Sequence, residues 1–215
     1  MYQNFDVQGG PQYGTRNLPK LRHQLVSLGL DGFLIPHEDE YNNEYLPDCN
    51  ERLMWISGFT GSAGAAIVMA DKAAVFVDGR YTLQVRSQVN EALFSYEQLE
   101  GHGVAHWLAA HVTSGMKIGY DPRLHSPDSL NILAKATHKV GGTLVPVQTN
   151  PIDTAWDDRP DAPTAPFTIQ PAELAGQEQA EKRALIGKLI QDKGADCAVI
   201  TSPASIAWLL NIRGG

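Results

Sequence analysis

The chain has 215 residues, 43% of them hydrophobic and 19% charged, which suits a sizeable core and one domain plus part of another. Its formal net charge is −7 and no dense run of Lys and Arg is present, so nucleic acid is excluded as an expected partner. Cys49 and Cys197 are too few and too distant for a disulfide framework or a paired-cysteine metal site, which favours a reducing, cytoplasmic location.

The N-terminal segment "MYQNFDVQGGPQYG" does not look like a secretory signal. It has no basic start, no apolar centre and no small-residue cleavage pattern. The longest apolar stretches of the chain also fall far short of the ~20 residues that a membrane span needs. We therefore predict a soluble protein without membrane contact, in which residues 1–16 are an N-terminal extension.

The first recognisable elements are a helix and a buried strand. Leu residues recur close to helical spacing in "LPKLRHQLVSLGL", and Gly29 is well placed to end the helix. The apolar run "DGFLIP" then predicts a short strand that ends at Pro36. A polar loop, "HEDEYNNEYLPDCNER", follows it.

A hairpin and further alternating elements come next. "AGAAIVMA" and "AAVFVD" are separated by Asp71 and Lys72, which predicts an antiparallel pair of strands. The following segments predict helix, helix, strand, helix and strand, in the order "YTLQVRSQV", "HGVAHWLAAHV", "KIGYD", "SPDSLNILAKAT" and "TLVPV". Together they indicate an α/β domain over residues 17–150, with a mixed sheet that contains one antiparallel pair.

The remainder divides into a linker and a second beginning. Residues 151–179 are rich in Pro and lack either hydrophobic period, which predicts an extended linker. Residues 180–215 repeat the helix, Gly, Asp, strand order of the first domain, with "CAVIT" as the strand and "SIAWLLN" as a second helix. Since these elements cannot bury their apolar faces alone, we expect a truncated second α/β domain.

Five motifs in this order carry a family resemblance: "GLDGFLIPHEDEYNNEY", "SGFTGSAGAAIV", "VDGRYTLQ", "NPIDTAWDDRP" and "IAWLLNIRG". They resemble the N-terminal half of the Xaa-Pro aminopeptidases in the creatinase/prolidase metallopeptidase family, in its three-domain form. The resemblance implies a ribonuclease H-like creatinase N-terminal domain, the start of a second similar domain, and a catalytic pita-bread domain that is absent from this chain.

The same resemblance implies an activity and its cofactors. Such enzymes remove the N-terminal residue that precedes proline, using two divalent ions, manganese or zinc, held by two Asp, one His and two Glu of the C-terminal domain. None of those motifs occurs here, so we expect this fragment to be inactive alone, with no catalytic and no metal-ligating residue. We expect the full-length enzyme to be a homodimer that acts on peptides with proline in second position.

By this resemblance, residues of the first domain contact the substrate, some of them across a subunit interface. A carboxylate can attract the ammonium of a peptide, an Arg fork can receive a carboxylate, and an aromatic ring offers an apolar contact. The candidates are Asp39, Glu44, Phe59, Ser62, Arg80 and Tyr81.

Each candidate also has a plainer interpretation. "HEDE" at residues 37–40 is typical of a solvated acidic loop, because Tyr41 occupies the place where a zinc-binding helix needs its second His. "GFTGSAG" is typical of a tight turn that leads into a strand. Arg80 at a subunit surface and Arg80 paired with Glu44 or Glu51 stay equally open, and His102 and His106 lack a third ligand, which favours surface histidines.

Two other classes of function remain as alternatives. A catalytically inactive, peptidase-like protein-interaction module would carry the same N-terminal motifs. An independent small-molecule enzyme is the weaker alternative, because the acidic residues and the histidines fall in different parts of the chain instead of converging on one site.

Overall fold

This computed structural model describes residues 8–101 and 103–214. Residues 1–7 of the predicted extension and His102 of the histidine pair therefore lie outside the described residues. The chain forms two compact units: one contains the residues up to Glu40 and Glu44–Pro160, and the other contains Tyr41–Asn43 and the residues from Asp161 onward. Each unit is described by itself.

The larger unit is built on a six-stranded mixed sheet with the strand order β4-β3-β2-β1-β5-β6. Only β2 runs against its neighbours among these strands, so the sheet contains two antiparallel pairs where we predicted one. The missed pair joins β1 to β2, which are too far apart in sequence for a short turn to reveal it. The strands are β1 (Gly32–Pro36), β2 (Gly64–Met69), β3 (Ala73–Val77), β4 (Ser95–Gln98), β5 (Lys117–Tyr120) and β6 (Thr143–Pro146).

Both faces of the sheet are buried because the strands are apolar at successive positions. In β3, Val75 and Val77 pack into one core, whereas Ala74 and Phe76 pack into the other. Side chains alternate between the faces of a strand, so a continuous apolar run fills two cores. Edge strand β4 was not predicted, because its four residues "SYEQ" are partly exposed and too polar to stand out.

Helices cover the two faces of the sheet. α1 and α2 pack together on one core with α6, while α4 and α5 pack together beside the other. α1 begins at Gln12 instead of Leu18 and ends, as predicted, at Gly29, whose φ of +64° suits glycine. The helices of this unit are α1 (Gln12–Leu28), α2 (Arg52–Ser57), α3 (Gln84–Gln88), α4 (Gly103–His111), α5 (Pro127–Lys139) and α6 (Pro151–Ala155).

Helix α6 corrects our prediction of an extended segment at residues 151–155. The Asn150 side chain accepts a hydrogen bond from the Ile152 amide, which caps the helix just before Pro151. Ile152 is fully buried, and the Trp156 ring stacks on Trp55 with the ring centroids 5.8 Å apart. A helix of five residues is too short for hydrophobic periodicity to reveal it. The division of the chain at residues 150 and 179 stays a prediction.

The smaller unit has three helices and a short antiparallel pair of strands among its described residues. The helices predicted around residues 180–192 and 205–211 are present as α8 and α9. Buried Lys182 of α8 donates to the Asn211 side-chain oxygen at 2.7 Å. The elements are β7 (Thr168–Ile169), α7 (Ala172–Ala175), α8 (Gln179–Asp192), α9 (Pro203–Leu210) and β8 (Ile212–Arg213).

The strand predicted at "CAVIT" is not formed. Residues 197–201 have no strand partner, and Val199 is 88% exposed. A strand is stabilised by its neighbours in a sheet, so an apolar run without a neighbour stays irregular. The prediction was wrong for the local structure of this segment.

Candidate functional site

The candidate side chains of the larger unit lie in the loops at one edge of the sheet, the edge at which β1 and β3 end. Strands β1 and β3 both end at this edge, and β2 begins there, since Gly64 pairs with Val77 and Ala65 pairs with Pro36. The loop that enters β2 therefore meets the loops that leave β1 and β3. In open α/β sheets the carboxyl ends of the strands are the usual place for binding residues.

Ser62 is the centre of a hydrogen-bonded group at this edge. Its hydroxyl donates to Oε1 of Glu44 at 3.1 Å and lies 3.0 Å from the Tyr81 hydroxyl. Because a serine hydroxyl has one hydrogen, Tyr81 then donates to Ser62 while it accepts from the Ser62 amide at 3.1 Å. The result is a chain of donors from Tyr81 through Ser62 to the exposed carboxylate of Glu44.

The Tyr81 side chain lies between Ser62 on one side and an arginine on the other. The pKa of Tyr81 lies below its usual value, because the hydroxyl and the amide of Ser62 are both placed to donate to the phenolate. The Arg80 guanidinium lies over the ring, with Cζ 5.1 Å from the ring centroid. Four of the candidate residues are thus linked by successive contacts, from Glu44 through Ser62 and Tyr81 to Arg80.

Arg80 binds neither Glu44 nor Glu51, the two partners that we considered. It forms a fork with Asp78: Nη2 is 2.7 Å from Oδ2, and Nε is 3.2 Å from Oδ1. Hydrogen bonds from Arg80 hold the pKa of the Asp78 carboxyl below its usual value. Asp78 also caps the following helical turn, and the Arg80 side chain remains 61% exposed.

Phe59 lies beneath the group instead of on its surface. It is 1% exposed and meets the Tyr81 ring edge to face, with the centroids 5.5 Å apart. A Cβ at Gly61 would overlap the Phe59 ring, so a glycine is required where the loop crosses the aromatic pair. Phe59 supports Tyr81 and does not present the apolar contact that we predicted for a ligand in this conformation.

Asp39 is also buried, which differs from the solvated acidic loop that we predicted. It is 3% exposed, and its carboxylate accepts a hydrogen bond from Asn50 at 3.3 Å. His37 is 6% exposed, and its Nε2 lies 3.0 Å from the backbone oxygen of Glu44. The loop after β1 therefore turns part of its polar sequence inward, and Glu44 is its exposed carboxylate next to Ser62.

Ion pairs that we did not predict lie at the end of this loop. Arg52 binds Asp153 with two hydrogen bonds, of 2.7 and 3.0 Å, and Arg159 lies 2.9 Å from the same carboxylate. Arg159 also donates to the backbone oxygen of Cys49 at 2.7 Å. The available signal was the group of charges in "DTAWDDRP", which we assigned to a linker.

The Creatinase/Prolidase N-terminal domain model matches residues 18–154, and a second model with the same description matches residues 158–215. This chain belongs to the creatinase/prolidase family. The earlier resemblance is confirmed, and both the mixed sheet and the second, partial domain agree with the family.

Relatives of this family member are Xaa-Pro aminopeptidases. This chain is 36% identical over 203 residues to a probable Xaa-Pro aminopeptidase P of Paracoccidioides brasiliensis. The aligned residues make up 93% of this chain and 33% of the relative. An X-prolyl aminopeptidase of Caenorhabditis elegans, described as a cytosolic enzyme with a di-nuclear active site, has a TM-score of 0.80 at 29% identity and covers 94% of this chain. The chain thus spans about a third of the length of these relatives.

A solved structure of a domain alone is also similar to this family member. The N-terminal domain of the cytoplasmic peptidase PepQ from Mycobacterium tuberculosis is matched over 97% of its length, with 27% identity and a TM-score of 0.50. That match covers 65% of this chain.

The described residues offer no metal-binding cluster that would match the di-nuclear active site named for the worm enzyme. In the part of the chain that the structure describes, no group of three or more His, Cys, Asp and Glu side chains is arranged to hold a metal ion. His111 stacks on Trp107 with ring centroids 4.0 Å apart, so it is partly covered rather than fully at the surface.

Across the described helices, none is long and apolar enough to cross a membrane.

Proposed function

We propose that this chain is the non-catalytic N-terminal part of a Xaa-Pro aminopeptidase, which removes the N-terminal residue before proline from peptides. The observation that carries the proposal is the 36% identity to a probable Xaa-Pro aminopeptidase P over 93% of the chain. The two divalent ions of such an enzyme, manganese or zinc, belong to a part that this chain does not span. We place the full-length protein in the cytosol, like the worm enzyme.

In this proposal the sheet edge shapes the substrate entrance and the surface between two subunits. Glu44 is an exposed carboxylate held by Ser62, and it attracts the ammonium of a peptide. Arg80 is exposed beside it and attracts a peptide carboxylate. Tyr81 positions both, because it bonds Ser62 and lies under the Arg80 guanidinium. The edge thus presents both signs of charge, as a zwitterionic peptide requires.

Hydrolysis of a short Xaa-Pro peptide with added Mn²⁺ tests the proposal. The assay compares this chain with a version extended to the natural C-terminus. We expect activity in the extended version alone. Activity in neither version favours the catalytically inactive interaction module, and metal-dependent activity in the short chain contradicts a non-catalytic role.

A variant of Arg80 tests the substrate-entrance role separately. In the extended protein, Arg80→Ala removes an exposed positive charge and should raise KM for short peptides about three- to tenfold, with kcat and metal content unchanged. Arg86→Ala is the matched control, because Arg86 is an exposed arginine that packs over Tyr96 away from Ser62. Equal KM values for the two variants remove Arg80 from the site.

A further inference from the structure

A segment that precedes the residues matched by the family model is hydrogen-bonded to the loop that carries Ser62. The match begins at residue 18, yet residues 8–10, here named the N-terminal strap, lie against the turn after α2. The Gly10 amide donates to the Gly58 carbonyl at 3.1 Å. A Cβ at Gly9 would overlap the Gly58 carbonyl, and a Cβ at Gly58 would overlap the Gly10 carbonyl. This close backbone approach requires glycine on both sides.

The Gln88 side chain of α3 joins the strap to this loop. Its amide nitrogen donates to the Gln8 carbonyl at 3.1 Å and to the Thr60 hydroxyl at 2.8 Å. Its amide oxygen accepts from the Thr60 amide and from the Gln84 side chain, both at 3.1 Å. Both donors and both acceptor positions of Gln88 are thus used, at a residue that is 8% exposed.

Thr60 lies two residues before Ser62 in the same loop, and the Ser62 hydroxyl donates to Glu44. We propose that the N-terminal strap, acting through Gln88, is a positioning device for the loop of Ser62 at the substrate entrance. The inference rests on the proposed function for its consequence in catalysis, but its structural part does not. Gln88 reaches this loop through Thr60, and Gln84 of the same helix also donates to the Thr60 hydroxyl at 3.1 Å.

Hydrogen exchange on this chain tests the strap itself. Gln88→Leu keeps the size of the side chain but removes its hydrogen bonds, and it should speed exchange of the Thr60 and Gly10 amides about tenfold. The Val75 amide in the centre of the sheet should keep its wild-type rate, which shows that the fold persists. Ser87→Ala is the control on the same helix, because Ser87 is exposed and its hydroxyl bonds only locally to the Gln84 carbonyl.

A second variant separates the strap from the loop. Gly9→Ala places a methyl group against the Gly58 carbonyl and should release the strap while Gln88 keeps its bonds to Thr60. We expect faster exchange at Gly10 with little change at Thr60. Unchanged exchange at Gly10 in both variants overturns the proposed strap. Loss of protection throughout the sheet also overturns it, because Gln88 and Gly9 would then support the whole unit and not this loop in particular.

Kinetics of the extended protein test the positioning role. Gln88→Leu and Gly9→Ala should each raise KM for a short Xaa-Pro peptide at least about threefold, with kcat within about twofold of wild type. Altered exchange with unchanged KM in both variants overturns positioning. If the wild-type extended protein hydrolyses no such peptide, the proposed function fails and with it the catalytic consequence, whereas the exchange data still decide the strap.

Discussion

Asp121 shows how a single buried carboxylate keeps its charge in this fold. It follows β5 at the same edge of the sheet and is 1% exposed. Burial opposes its charge more than any other single influence, but hydrogen bonds from Arg123 and Asn150 together outweigh burial and hold the pKa below its usual value. The carboxylate therefore stabilises the folded state as long as it is ionised.

This balance predicts a specific pH dependence. A carboxyl with a lowered folded pKa contributes stability above its unfolded pKa of about 3.9, and that stability is lost as the pH falls through the folded pKa. Asp121→Asn should cost about 2 kcal/mol at pH 7. Urea unfolding from pH 7 down to pH 2.5 should show the difference from wild type shrinking towards the acid end.

The exposed Asp128 supplies the control for this series. It lies in the first turn of α5. Asp128→Asn should change stability by less than about 0.5 kcal/mol at each pH. A difference for Asp121→Asn that stays constant from pH 7 to 2.5 contradicts the assignment.

The motifs that contain the candidate residues were visible in the sequence, but the bonding of these residues was not. Ser62, Arg80 and Tyr81 lie in short motifs that a family resemblance can point to. The partner of Arg80 was misassigned, because an adjacent carboxylate that also caps a turn competes better than a distant one. The exposure of Asp39 and Phe59 was misjudged for a similar reason, since loop residues become buried through contacts far apart in sequence, such as Asn50 with Asp39.

At the scale of elements, α6 is held to the rest of the larger unit by charge as well as by packing. Asp153 lies on this helix and is shared by Arg52 at the start of α2 and by Arg159 beyond α6. The Arg52 and Asp153 side chains are only 5% and 16% exposed. Removing the carboxylate leaves the Arg52 guanidinium buried without its partner.

We therefore expect Asp153→Asn to destabilise the chain by about 3 kcal/mol. Asp157→Asn is the matched control, because the Asp157 side chain is 79% exposed and pairs with Lys20 at the surface. That control should cost much less, because solvent screens an exposed ion pair. Chemical denaturation of the two variants under identical conditions gives both values, and equal losses would show that the buried pair has no special weight.

Long apolar patterns made most elements predictable, and short or edge elements were missed. The β2–β3 hairpin, α1 and β5 follow from local periodicity and turn residues. α2 and α6 escaped because five or six residues complete too little of a helical period, and β4 escaped because an edge strand needs few apolar residues. Proline led to the wrong prediction at residue 151, where it begins a helix.

At the scale of the whole molecule, the two units differ in how completely they bury their apolar side chains. The larger unit buries the large apolar residues of β1, β2 and β3 and exposes few others, namely Val26, Leu28, Tyr45, Leu83 and Ile132. The smaller unit leaves many exposed: Phe167, Ile169, Leu174, Leu185, Leu189, Val199, Ile200, Trp208 and Leu210. Burial of apolar surface is the main source of folding free energy, so the units should differ in stability.

Truncation after Pro160 tests this difference. Residues 1–160 should unfold in one cooperative transition by circular dichroism, with a midpoint close to the main transition of the 215-residue chain. Residues 161–215 alone should melt broadly, without a cooperative transition. A non-cooperative melt of residues 1–160 would show that the larger unit depends on the smaller one.

One reversed strand gives the sheet two ends of different use. Because β2 runs against its neighbours, the loop of Ser62 comes to the same end as Glu44 and Arg80, and the tight turn at Asp71 and Lys72 goes to the opposite end. A fluorophore or an affinity tag inserted at that turn would lie a full strand length from the candidate site. The molecule can therefore be labelled or immobilised there while the end that carries Ser62, Glu44 and Arg80 stays open.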